Sequence, residues 1–145
     1  MPPRELPFAA PRGGAIRLGA AQRRMNGLHL TADLRGCDPA SARMFDPDLL
    51  ARLCSHAVAL SGLSGVAELM HRFGPADGQS GITGVVLLAE SHLAIHTWPE
   101  LGAVTLDVYV CNYGGDNSEK AKALLDVLIQ LFEPAEVSQQ QLLRG

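Results

Sequence analysis

Lysine is almost missing from this chain: of 145 residues only Lys120 and Lys122 carry an ammonium group. The arginines stand mostly singly and the formal net charge is −3. Phosphate backbones are held by clustered basic side chains, so no nucleic-acid partner is expected. Long apolar runs are missing too. No stretch approaches the roughly 18 consecutive apolar residues of a membrane span, and no membrane partner is expected. Cys37, Cys54 and Cys111 are too few and too far apart for a disulfide framework or a zinc site, so no metal is expected either. An odd number of unpaired thiols fits a reducing cytoplasm. The first 25 residues hold Arg4, Arg12, Arg17, Arg23 and Arg24 among four prolines, with no apolar centre. That excludes a secretory signal. Residues 1–26 are expected to form a disordered extension, with Met25 a second candidate start.

What remains is enough for one core. Hydrophobic residues make up 47% and charged residues 19%, ordinary values for a soluble domain, and a single domain over 27–145 is expected. Gly27 to Leu34 alternates as a half-buried strand does. Asp46-Pro47-Asp48 supplies a cap, a first-turn proline and a first-turn acid, and apolar residues from Leu49 to Leu60 follow at helical spacing. Val66–Phe73 reads as a strand and 74–81 as a loop. Ile82–Ala89 is nearly all apolar, which suits a central strand covered on both faces or by a partner. His92–Trp98 and Ala103–Cys111 pair across Pro99–Gly102 as a hairpin. Asn117 can cap a second helix that Pro134 ends, and Ala135–Leu143 returns as a strand. The expected fold is α+β, a two-layer sandwich of order βαβββαβ. Its sheet is largely antiparallel, with both helices on one face.

The hairpin carries the chemistry. With a four-residue loop, Trp98 pairs with Ala103 and paired numbers sum to 201. His96 then faces Thr105, His92 faces Tyr109, and Cys111 lies opposite Glu90, diagonal to Ser91. Alternation puts His92, His96, Trp98, Tyr109 and Cys111 on one face. A serine, a thiol and two imidazoles thus converge, although a slip of one residue would undo the arrangement. Taken singly, each residue has a plainer role. A strand-end thiol is more often a small buried hydrophobe, and a histidine between Leu93 and Ile95 more often an ordinary sheet residue.

The stretch Glu90-Ser91-His92-Leu93-Ala94-Ile95-His96-Thr97-Trp98-Pro99-Glu100 closely resembles the processing segment of bacterial S-adenosylmethionine decarboxylases, pyruvoyl-dependent enzymes made as proenzymes. Gly27-Leu28-His29-Leu30, His71-Arg72-Phe73 and Gly81-Ile82-Thr83-Gly84-Val85 resemble further landmarks of that family. The likeness spans roughly four-fifths of the chain.

The resemblance implies a set of roles. Ser91 attacks the carbonyl of Glu90, and the chain cuts itself between 90 and 91. Ser91 thereby becomes a covalent pyruvoyl cofactor, which forms a Schiff base with the substrate amine. His96 removes a proton during processing, and Thr83 stands where better-known members carry serine, keeping the assisting hydroxyl. Cys111 is the proton donor in decarboxylation. Phe73 stacks on adenine, Glu100 binds the ribose hydroxyls, and Asp33, where relatives often have glutamate, contacts the amine or sulfonium. His92 receives no role. The expected substrate is S-adenosylmethionine, converted to the aminopropyl donor of spermidine and polyamine synthesis, and the expected assembly is a cytoplasmic homodimer with shared sites. The loop 75–80 is longer than in the shortest relatives and lies beside Phe73. Two other readings stand beside this one: a pyruvoyl enzyme acting on free arginine or ornithine, and a non-catalytic regulatory paralogue. A Ser/His hydrolase is excluded because no Gly-x-Ser-x-Gly elbow is present.

Overall fold

A computed structural model describes residues 26–75 and 79–145. The expected extension (residues 1–25 of it) and the middle of the loop 75–80 lie outside the described residues. The elements are β1 (Gly27–Arg35), α1 (Pro47–Leu60), β2 (Gly65–Arg72), β3 (Ile82–Leu88), β4 (Ser91–Trp98), β5 (Ala103–Cys111), α2 (Ser118–Phe132) and β6 (Glu136–Arg144). Four strands stand between the helices. The order βαβββαβ was therefore one strand short, although each of the four segments between Val66 and Cys111 reads as a strand by itself.

The six strands form one sheet in the order β2-β3-β4-β5-β1-β6. Every neighbouring pair is antiparallel. Alternation decides what each face carries. Leu28, Leu30, Ala32 and Leu34 of β1, Leu93 and Ile95 of β4, and Val104, Leu106, Val108 and Val110 of β5 are buried. They form one cluster with Leu50, Cys54, Ala57 and Val58 of α1 and Leu124, Leu125 and Leu128 of α2. Both helices therefore cover the same face, and the fold is the expected α+β sandwich.

Local signals place the helices. Asp46 caps α1 by accepting from the N–H groups of Asp48 and Leu49, with Pro47 in the first turn. The C-terminus of α2 is closed by Glu133 in a left-handed conformation ahead of Pro134. Thr97 is the fully buried polar residue of β4. Its hydroxyl donates to the Met44 carbonyl at 2.7 Å and accepts from the Ile82 N–H at 2.9 Å, so nothing polar is stranded there.

Of the two coverings expected for β3, both faces within the chain or one face by a partner, the described residues supply only one face: Ile82, Val86 and Leu88 are buried, but Leu87 is 47% exposed. Among the described residues no second layer lies on that side, since both helices are used on the other.

Cys54 of α1 is fully buried, and burial, aided by the Glu68 carboxylate, pushes its thiol up from an ordinary value of 9.0 to about 12. A proton held more tightly in the folded state contributes stability that is complete below the unfolded value and lost as pH rises above it. Between pH 9 and 12 the native protein should therefore lose up to ~1.4 kcal/mol per pH unit through this thiol alone. Urea unfolding of wild type and Cys54→Ala across that range checks it: the stability difference between them should shrink as the pH rises.

Candidate active site

β3 and β4 are joined by the two residues Ala89 and Glu90, with Leu88 opposite Ser91 closing the ladder. Glu90 has φ +58°. A non-glycine residue in this left-handed region costs about 1–2 kcal/mol, because its Cβ crowds the neighbouring carbonyl. Tight hairpins of this length ordinarily solve the problem with glycine or asparagine. The bond between Glu90 and Ser91 therefore follows directly on a strained residue, which is the kind of position where strain and function coincide.

Ser91 opens β4 beside the end of β5. The expected register is the observed one: Trp98 pairs with Ala103, His96 with Thr105 and His92 with Tyr109. Continued by two steps it puts Cys111 opposite Glu90, but Glu90 is in the turn and outside the ladder. The Cys111 N–H donates instead to Ser91 Oγ at 3.1 Å. The Cys111 carbonyl accepts from Asn117 Nδ2 at 3.0 Å. Cys111 itself is buried with a free thiol. A recess of about 170 Å³ opens beside Ser91, lined by Leu63, Ala89, Asn117 and Lys120.

A second group gathers at the other end of β4. His96 Nδ1 lies 3.2 Å from Thr83 Oγ1 on the neighbouring strand. The His96 ring stacks on Trp98 at 5.9 Å, and Trp98 meets Phe73 with ring centroids 6.5 Å apart. Glu100 follows in the short 3-10 turn Pro99–Leu101 and is exposed. Asp33 pairs with Thr105, which pairs with His96, so all three share one row across the uncovered face. Thr83, His96, Phe73, Glu100 and Asp33 are thus brought to one region, and Ser91 with Cys111 to another. Five residues of strand separate Ser91 from His96, about 16 Å at ~3.3 Å per residue. Convergence of these groups at one end of the hairpin is therefore corrected: alternation puts His96 on the uncovered face, and the strand's length keeps it from Ser91.

Other residues at the site were given no role from the sequence. His29 Nε2 lies 2.6 Å and His92 Nε2 3.5 Å from the same oxygen, Oδ1 of Asp107. Both rings lean on Tyr109, and the Arg144 guanidinium sits 5.6 Å from its ring centre. Finding this cluster requires knowing that β1 lies beside β5, a pairing of distant segments that periodicity does not give. Gly81 is another. A Cβ there would stand 2.0 Å from the Thr97 carbonyl oxygen and 2.5 Å from the Phe73 ring, so glycine lets Phe73 lie against the backbone. Among the described residues no cluster of three or more His, Cys, Asp or Glu side chains is arranged to hold a metal. No helix among them is long and apolar enough to cross a membrane.

The family profile described as S-adenosylmethionine decarboxylase matches residues 28–145. The chain belongs to the S-adenosylmethionine decarboxylase family. Membership makes it an enzyme of the decarboxylase class. A relative named S-adenosylmethionine decarboxylase proenzyme from Picrophilus torridus is 37% identical over 120 residues, covering 82% of this chain and 84% of the relative. One of the same name from Aquifex aeolicus is 40% identical over 119 residues, covering 82% of this chain and 81% of the relative. The crystal structure of the adenosylmethionine decarboxylase from Aquifex aeolicus has a TM-score of 0.72 at 37% identity, covering 84% of this chain and 92% of that one. The decarboxylase likeness thus extends over the described sheet and both helices.

The packing of Phe73 on Gly81 gives a direct test. Gly81→Ala should destabilise the protein by about 1–3 kcal/mol, the usual range for an overpacked site. Thermal unfolding followed by circular dichroism measures this, and the near-ultraviolet signal of Trp98 should change with it as the Phe73 ring is displaced.

Proposed function

We propose that this chain decarboxylates S-adenosylmethionine with a pyruvoyl group made from its own Ser91, and that the product serves as the aminopropyl donor of spermidine synthesis. The observation that carries the reading is the setting of Ser91: it follows a strained left-handed glutamate and its Oγ accepts a backbone N–H from Cys111. The residues fit formation of such a group. Ser91 Oγ attacks the Glu90 carbonyl carbon, the amide C–N bond breaks, and the hydroxyl proton passes to the freed amine. A base then removes the α-proton of Ser91, the Glu90 carboxylate departs to leave dehydroalanine, and water adds to its imine form and expels ammonia, leaving the ketone. Loss of the left-handed constraint at Glu90 favours the forward direction by an amount of the order of the strain, ~1–2 kcal/mol. The domain over 27–145 would end as two fragments that meet between residues 90 and 91.

Once formed, a pyruvoyl group supplies a ketone that condenses with an amine and accepts the electron pair left by departing carbon dioxide. The protein's part is to bind the substrate and to move protons. Cys111, the residue next to Ser91 Oγ, returns a proton to the substrate α-carbon from its Sγ. Phe73, against Trp98, offers an aromatic face to adenine. Glu100, exposed in the adjoining turn, offers two carboxylate oxygens to the ribose hydroxyls. Asp33 offers a negative charge to the amine or the sulfonium. Their presence favours a nucleoside-bearing substrate over free arginine or ornithine.

The separation of about 16 Å between Ser91 and His96 supports a homodimer in which each site draws on both subunits. His96 and Thr83 of one subunit then serve Ser91 of the other. The uncovered face of the sheet, with Leu87 and Leu69 exposed, is the surface such a partner would cover. A cytoplasmic setting accords with three free thiols.

Mass spectrometry of the denatured protein should give two fragments divided after residue 90, the second blocked to Edman sequencing. Ser91→Ala should give one intact mass and no carbon dioxide from S-adenosylmethionine, arginine or ornithine. Cys111→Ala should keep substrate binding and lose turnover by a factor of ~10² or more, as removal of a positioned proton donor does. Full turnover without cleavage would end the pyruvoyl reading. The shared-site arrangement has its own test. Ser91→Ala and His96→Ala chains, each uncut alone, should yield cut His96→Ala chains when co-expressed; no cleavage in the mixture would mean that His96 acts within its own subunit.

A further inference from the structure

Asn117 is at the start of α2, where an asparagine ordinarily turns its side chain to the helix's free N–H groups. It makes no such cap. The Ser118 N–H is taken by Asp116 Oδ1 at 2.9 Å, and the hydrogen bonds to Ser118 hold the Asp116 carboxyl below the usual carboxylate range. The Asn117 carboxamide instead donates through Nδ2 at 3.0 Å to the carbonyl of Cys111. Asn117 is itself held, since its N–H donates to Asn112 Oδ1 at 2.8 Å and Asn112 Nδ2 donates to Ser118 Oγ at 3.1 Å. The chain of contacts runs from the helix start, through the carbonyl and N–H on either side of the Cys111 Cα, to Ser91 Oγ.

On its β1 side this backbone is paired, with Gly27 opposite Cys111. On the β4 side Glu90 leaves the ladder at the turn, so no strand partner fixes the Cys111 N–H and carbonyl there. A backbone held on one edge only is the more easily displaced, and the N–H would wander from Oγ. We propose that Asn117 is a positioning residue for residue 91, acting through the backbone of Cys111. This inference rests on the proposed self-cleavage. As Ser91 Oγ gives up its proton, the Cys111 N–H holds Oγ and supports its negative charge until attack on the Glu90 carbonyl carbon passes that charge to the carbonyl oxygen, and the Asn117 amide keeps the N–H in line. The same anchor fixes the backbone that carries the Cys111 thiol. Asn117 and Ser91 also line one recess, so no intervening layer separates them.

Asn117→Asp separates positioning from support of the helix. Aspartate has the same shape and is at least as good at a helix start, yet its ionised side chain offers no N–H to the Cys111 carbonyl. Protein made by cell-free translation, sampled over time and weighed under denaturing conditions, gives the rate of cleavage after Glu90. Asn117→Asp and Asn117→Ala should each cut about tenfold more slowly than wild type, the effect of one lost hydrogen bond, with the Asp variant's melting temperature unchanged. Cleavage at the wild-type rate in either variant overturns the inference. A second measurement needs no change at Asn117. In uncut Ser91→Ala the Asn117 side-chain amide protons should exchange slowly by NMR, and rapid exchange would overturn it as well. Should the wild type itself remain uncut, the self-cleavage reading has failed; a cut wild type with an indifferent Asn117 sinks this inference alone.

Discussion

Because side chains alternate along a strand, a sheet with both helices on one side must sort its residues strictly by parity. Even-numbered residues of β1, β3 and β5 and odd-numbered residues of β4 fill the core with Leu, Ile and Val. Every other position is left for polar chemistry or for a partner. His29, Thr83, His96, Asp107 and Tyr109 all stand on that second face because their neighbours one step along are core. The sorting fixes which groups can meet. It puts the imidazole of His96 against Thr83 and holds it a strand's length from Ser91, and no local rearrangement can bring those two together without breaking the sheet.

The turn at Ala89–Glu90 adds a second constraint. Ending β3 and starting β4 with only two intervening residues brings Ser91 into the ladder at once, at the cost of a left-handed glutamate. It also leaves the end of β5 without a partner on its β4 side, although Gly27 of β1 pairs with Cys111 on the other. On the open side the Cys111 backbone is met by side chains, the Ser91 hydroxyl on its N–H and the Asn117 amide on its carbonyl. A regular ladder at this point would have bound Cys111 to backbone and left the hydroxyl of Ser91 with no donor from it. The irregularity is what joins the serine to the cysteine.

Much of this was legible in the sequence, for identifiable reasons. The hairpin register followed from loop length, since Pro99-Glu100-Leu101-Gly102 admits one pairing when both flanks alternate. The helix starts followed from Asp46-Pro47 and Asn117, although the Asn117 side chain proved to serve the strand end instead. Thr83 was singled out by likeness to a known family, but its contact with His96 was not foreseen, because spacing alone does not say that the two strands are neighbours. What stayed hidden depends on long-range pairing. The sharing of Asp107 by His29 and His92 needs β1 to cross over and lie against β5. The role of Gly81 needs the Phe73 ring to be known as its neighbour. The expected convergence held for Ser91 and Cys111 and failed for His96, because five steps along an extended strand carry an imidazole out of reach whichever face it shares.

The strand order has a further consequence for a chain divided at position 90. The N-terminal piece owns β2, β3 and β1, while the C-terminal piece owns β4, β5 and β6, so the order β2-β3-β4-β5-β1-β6 changes owner three times across the sheet. The two polypeptides are shuffled like cards rather than set side by side. Each seam is a full run of antiparallel bonds, and α1 and α2, one from each piece, share a single core. Separating such halves would mean unravelling both, so a nick at position 90 would leave them joined by the same three seams.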